Sequence, residues 1–298
     1  KNPKPHNTEE IPFHKETLVS VAKDAELSFP NIQVMMKFNA EKEGTYKAYR
    51  TNIVHSLITE MINKRIAERQ RKPNPPFGMF AMSYAGNFVG STNTLGVFGL
   101  LKSENVEQGV EASIFELFRA KQHGFSASEL ERVKTEKLRF IEKTSLEKDK
   151  TESANYANEY VRNFITNEAI PGIDYELELY KLWMPEITVN EINAEIKKLV
   201  NKENTVIAIS APEREGVKVP SDSEVLALFN KISSENLPAY IDETVNKPLF
   251  SKNVTPGKVV SKKEINKIGA TELMLSNGIK VILKPTDFKN DEIMFTSF

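Results

Sequence analysis

Four histidines, His6, His14, His55 and His123, are the first residues to weigh for chemistry. A hydrolytic zinc ion needs three protein ligands and a base beside it, and helical zinc motifs set two histidines and a glutamate within one turn or so. Neither His-Glu-x-x-His nor His-x-x-Glu-His occurs in the chain. Glu60 lies five positions after His55, off the helix face a shared ligand would need. His55 therefore reads as a histidine at the edge of a core. His6 and His14, with Glu9 and Glu10, sit in an arm broken by Pro3, Pro5 and Pro12, a poor frame for a metal. His123 precedes Gly124 at a helix end, where the helix dipole favours a positive ring. The absence of cysteine excludes disulfides, thiolate zinc and cysteine nucleophiles. There is no Gly-x-Ser-x-Gly elbow and no phosphate loop, and the glycines from 86 to 99 suit tight turns and close strand contacts. Basic residues between Lys64 and Lys72, with Glu68 among them, read as a solvated helix end. These residues build no active centre by themselves.

The elements that would position a site centre on residues 46–87. Ile53, Leu57, Met61, Ile62 and Ile66 form a stripe that predicts a helix over 46–71, about 40 Å long at roughly 1.5 Å per residue. Pro73, Pro75 and Pro76 must end it. An aromatic-rich alternating stretch from 77 to 84 predicts a strand beside that helix. Strands are also expected at 19–27 and 32–38, joined by a turn, at 94–102, paired with 77–89, and at 204–210, inside a sheet. Three Ser/Thr-x-x-Glu boxes, Ser126–Glu129, Thr188–Glu191 and Ser221–Glu224, mark helix starts. Further helices are expected over 106–123, 152–167 and 174–183. Residues 238–270 read as a linker, with Pro238, Pro248, Pro256 and Gly257 and no sustained period. Asn277-Gly278 between alternating runs predicts a hairpin over 271–284.

The expected fold class is α+β, a two-layer sandwich of a mainly antiparallel sheet covered by helices on one side. With 298 residues, 40% hydrophobic and 27% charged, there is ample material for a core. A formal charge of −1 offers no general attraction to nucleic acid. No apolar run approaches the ~20 residues of a membrane span. The composition allows any compartment, periplasm and cell envelope included, and selects none. The chain begins at Lys1 rather than Met, and the expectation is a processed or excised segment.

Four stretches in order, VSVAKDAELSFPNIQVMMKF, INKRIAERQRKPNPPFGMFAMSYAGNFV, HGFSASELERVKTEKLRF and ELMLSNGIKVILKPTDFKNDEI, together resemble the insulinase/pitrilysin (inverzincin) family of zinc metallopeptidases. That resemblance implies a metallopeptidase-like repeat domain. Residues 1–237 would be the non-catalytic companion of a catalytic domain in the same polypeptide, 238–270 the linker, and 271–298 the opening strands of a following, truncated domain. The zinc would be bound in the parent enzyme outside this segment, and none in this chain. The peptide substrate would meet Arg65, Phe77, Phe80 and Tyr84, with Phe80 standing where the family's pattern expects Tyr. An exposed Arg65, bonded at most locally to Glu60 or Glu68, should be removable for at most about 1 kcal/mol. Two other readings stand beside this one: a catalytically inactive scaffold of the same family, and an unrelated helical interaction module built on residues 126–200.

Overall fold

The computed structural model describes residues 10–89, 92–242, 250, 253–287 and 292–298. It divides into two compact units, 1–145 with 152–242, and 146–151 with 243–298. In the first unit the long helix α1 runs Tyr46–Gln70. Thr45 caps it by accepting from the Ala48 amide at 3.1 Å, and the proline-rich stretch after Arg71 prevents another turn. Ile53, Leu57, Met61 and Ile62 are buried, as the stripe predicts.

Five strands form the sheet beneath: β1 Leu18–Asp24, β2 Asn31–Asn39, β3 Phe77–Val89, β4 Thr92–Leu101 and β5 Thr205–Pro212. Their order is β1-β5-β2-β4-β3, and every pairing is antiparallel except β1 with β5. The turn expected between β1 and β2 does not make them neighbours. β5, with Ile207 and Ile209 buried, inserts between them as an interior strand. Ile32, Val34 and Met36 of β2 and Leu95 and Val97 of β4 point to the same buried side. Helices α2 Val106–His123, α3 Ala127–Leu146, α4 Ser153–Thr166, α5 Ile173–Trp183, α6 Val189–Leu199 and α7 Asp222–Ser234 complete the unit. Val110, Ile114 and Leu117 of α2 close the core, and Phe118 meets Phe229 of α7 edge to face at 5.4 Å. The fold is the helix-covered, mainly antiparallel α+β sandwich that the sequence predicts.

The three capping boxes differ in their outcome. Ser221 and Glu224 exchange both bonds at the start of α7. Ser126 and Glu129 do the same at α3, at 2.8 and 3.2 Å. Thr188 accepts from the Glu191 amide, but the Glu191 carboxylate turns away to grip Arg50 of α1. A tertiary ion pair has taken the place of half the box.

The second unit holds β6 Val259–Ile265, β7 Ala270–Leu275 and β8 Lys280–Leu283 in one antiparallel sheet. β6 lies inside the stretch read as a linker, where a run of charged and small residues hides its alternation. Between β7 and β8 the Gly278 amide donates to the Leu275 carbonyl at 2.9 Å, with Gly278 at φ 83°. The connection is thus a three-residue turn with a bulge, and Gly278 supplies its left-handed position. Among these strands only Ala270 is buried.

Candidate functional site

Of the four residues expected to meet a peptide, the structure brings only Phe77 and Phe80 together, their rings edge to face at 4.4 Å. Both are buried. Phe80 lies over Gly99 on the paired strand β4, where an added Cβ would come within 2.2 Å of its ring. Glycine there lets the two strands approach while the aromatic ring covers the bare backbone. Tyr84, half-buried in the middle of β3, stacks on Phe38 at 6.4 Å and lies tilted against His55 at 4.0 Å, and its hydroxyl accepts from Asn93.

Arg65 overturns the exposure expected of it. Its side chain is 2% exposed and forms a bidentate pair with Glu129, at 2.7 and 2.9 Å. Nη2 also donates to the Gly124 carbonyl at 2.9 Å. The guanidinium is held between the rings of Phe125 and Tyr240, 4.6 and 4.2 Å from their centroids. The local partners expected for it bond elsewhere, Glu68 to the Tyr240 hydroxyl and Glu60 to Lys137. The basic stretch is likewise not all solvated. Arg65 and Arg69 turn inward, Arg69 towards Glu116, because the helix stripe that buries Met61 and Ile62 continues through them. A cleft of about 210 Å³ opens beside Arg65, lined by Lys64, Glu68, Arg71, Arg132 and Tyr240. Arg132, on its lining, pairs with Asp242 at 2.9 Å.

The histidines remain dispersed. His14 contacts the Glu16 carbonyl, His123 the Leu237 carbonyl, and His55 Glu195 of α6 at 3.1 Å, while His6 lies outside the described residues. Burial lowers the His55 pKa, against the opposing pull of Glu195. Burial would raise Glu195, but hydrogen bonds from Lys198 and His55 outweigh it and leave it lowered. Among the described residues no three His, Cys, Asp or Glu side chains are placed to hold a metal ion. The described residues therefore offer no ligand set for a catalytic zinc.

The surface best suited to an extended ligand is the sheet face away from the helices. Gln33 and Met35 of β2, Ser83 and Ala85 of β3, and Gly96 and Phe98 of β4 line a shallow hollow of about 240 Å³ there. Small side chains at its floor leave room, and the partly exposed Met35 and Phe98 give it an apolar wall. Side chains from the helices engage backbone groups on both edge strands. On β3, Asn63 of α1 bonds the Met82 amide and carbonyl, at 2.7 and 2.9 Å, and Gln70 bonds the Gly78 carbonyl. On β1, the Val21 amide donates to Asp222 of α7 at 2.8 Å. Such bonds disfavour an added strand at the positions they occupy, and the open face offers a broader accessible surface. The alternation of Gln33 and Lys37 against Ile32, Val34 and Met36 signals this second face in the sequence. Its emptiness could be seen only once the helices were placed.

No protein-family model matches the chain. It is 27% identical over 289 residues, 97% of its length, to a protein of Arabidopsis thaliana named zinc protease PQQL-like, and 26% identical over 229 residues to the probable zinc protease PqqL of Escherichia coli. It spans about a quarter of the length of these curated relatives, 27% and 24%. The crystal structure of the periplasmic protease PqqL from Escherichia coli superposes with a TM-score of 0.71 at 18% identity, covering 95% of this chain and 31% of that one. The first half of the same protease gives 0.72 at 17% identity, covering 81% of this chain and 52% of the half. The chain is thus similar to zinc metallopeptidases of the insulinase type, with the PqqL zinc proteases resembling it in both sequence and fold. This sets aside the reading as an unrelated helical module.

Proposed function

We propose that the chain is a segment of a zinc-dependent metalloendopeptidase that lines the peptide-binding chamber without carrying the metal. The open, partly apolar sheet face carries this proposal: it offers a shallow hollow of about 240 Å³ between three strands, and among the described residues no metal cluster stands beside it. Zinc would be supplied by the catalytic domain of the same polypeptide. In this proposal residues 1–237 are the companion domain, 238–270 lead across, and 271–298 open the next domain. Two observations support that division. The three strands of the second unit bury only Ala270, too little for an independent core. A larger share of the chain aligns with the whole Escherichia coli protease than with its first half, as a segment crossing between halves would. Phe77, Phe80 and Arg65 are buried, so within this proposal they hold β3 and α1 in place behind the wall. Tyr84 is half-buried against His55 of α1 and Phe38, on the helix-covered side of β3, and within this proposal joins them behind the wall.

The test is peptide hydrolysis by the full-length parent polypeptide carrying Met35→Lys and Phe98→Lys. Both side chains face outward, so zinc content and melting temperature should stay as in the wild type, while kcat/KM should fall at least tenfold. Unchanged hydrolysis would remove the chamber-wall role.

A further inference from the structure

Helix α4, Ser153–Thr166, is mounted inside out. Its sequence is cleanly amphipathic: Tyr156, Tyr160, Val161, Phe164 and Ile165 share one half, and Asn155, Asn158, Glu159, Arg162, Asn163 and Thr166 the other. In a surface helix the apolar half packs on the core, as it does in α2. In α4 no residue is buried, and Phe164 is 91% exposed, Ile165 71% and Tyr160 57%. The half-buried positions are the polar ones Glu159, Asn163 and Thr166, spaced i, i+4 and i+7. Asn163 is fastened to the Glu168 carbonyl at 2.6 Å and Arg162 to the Glu168 carboxylate at 2.9 Å, which ties the polar half to the turn that follows the helix.

A 14-residue helix has little stability of its own in water, and a stripe of two tyrosines, a phenylalanine, a valine and an isoleucine is costly to leave wet. We infer that the outer face of α4 is a docking surface for another domain of the same polypeptide, which meets it through an apolar, uncharged surface. The inference rests on the chain being a segment of a longer protein, as proposed above, and names where that segment is joined to the rest. About three quarters of the length of the curated relatives lies outside the matched segment. A domain tethered to this one is present at an effective concentration of order millimolar, far above that of a second copy. Tyrosine and phenylalanine with little charge are also the composition of a protein interface core. A membrane surface would instead call for lysines and arginines along the polar half, where α4 has one arginine against one glutamate.

Amide hydrogen exchange of α4 in the full-length parent and in the 298-residue chain tests this directly. Exchange should be at least tenfold slower in the parent, and Phe164→Glu with Ile165→Glu should abolish that difference. The same double variant should leave the melting of the 298-residue chain unchanged, because both side chains are exposed. Equal exchange in parent and segment would overturn the inference. So would a doubled mass of the 298-residue chain by light scattering that the double variant abolishes, which would assign the face to a second copy. Co-sedimentation of the chain with vesicles of anionic phospholipid would assign it to a membrane, with the same consequence. None of these readouts uses hydrolysis. A parent that protects α4 but cleaves no peptide would therefore refute the protease proposal alone.

Discussion

Arg65 shows how one side chain can change meaning when its neighbours arrive from elsewhere in the chain. Its two bonds to Glu129, its bond to Gly124 and its place between Phe125 and Tyr240 join α1, the start of α3 and the segment after α7. Glu129 meanwhile caps α3 by accepting from the Ser126 amide, so one carboxylate serves a helix start and a buried cation together. Deleting one partner of a buried pair strands the other without compensation, at a cost of about 3–5 kcal/mol. Arg65→Ala should therefore destabilise the chain by about that amount in urea unfolding. Arg65→Lys should recover little, since an ammonium cannot reproduce the planar two-point pairing between two rings. A loss below about 1 kcal/mol would return Arg65 to the class of exposed helix-end residues.

At the scale of elements, α1 is tied to its surroundings by its apolar stripe and also by polar side chains that no helical period reveals. Glu191 and Glu195 of α6 reach Arg50 and His55, and Asn63 seals the edge of β3. The His55 contact makes the α1–α6 junction sensitive to pH. Because burial holds its pKa below the ordinary 6.5, the folded chain binds fewer protons at this ring than the unfolded chain does. The stability it contributes is present above pH 6.5 and is lost as the pH falls through its folded value. Unfolding midpoints should accordingly drop between pH 7.5 and 6 by more in the wild type than in His55→Gln. Identical slopes for the two proteins would show that His55 does not titrate differently on folding. Glu43 and Glu176, raised by burial, act in the opposite sense near and above pH 4.5, which is why the comparison is made above pH 6.

For the whole molecule the question is where the metal chemistry resides. His14, His55 and His123 are committed to separate places in the fold, and among the described residues no three candidate ligands converge. The 298-residue chain, purified and exchanged into metal-free buffer, should carry well under one zinc per molecule and hydrolyse no peptide, whereas the parent should carry one. Tight, stoichiometric zinc in the segment would move the metal site into this chain and overturn the division of labour proposed here.

Local physics was legible in the residues. The helix stripe of α1, the proline stop, the Ser126 and Ser221 boxes and the Asn277-Gly278 turn each depend on neighbours a few positions away, so sequence alone determined them. So did the two-layer α+β class, because period-2 and period-3.6 patterns alternate along the chain. What depended on partners 60 to 190 residues away could not be read in this way. β5 enters between β1 and β2 through long-range pairing, and Glu191 leaves its box for an arginine 141 positions distant. Arg65 is buried because Glu129, Phe125 and Tyr240 converge on it, although a basic run beside prolines looks solvated by composition. That residues 152–167 form a helix was legible, but which half of it faced its own domain was not. Amphipathicity marks two faces of a helix, and only tertiary packing decides which of them meets the core.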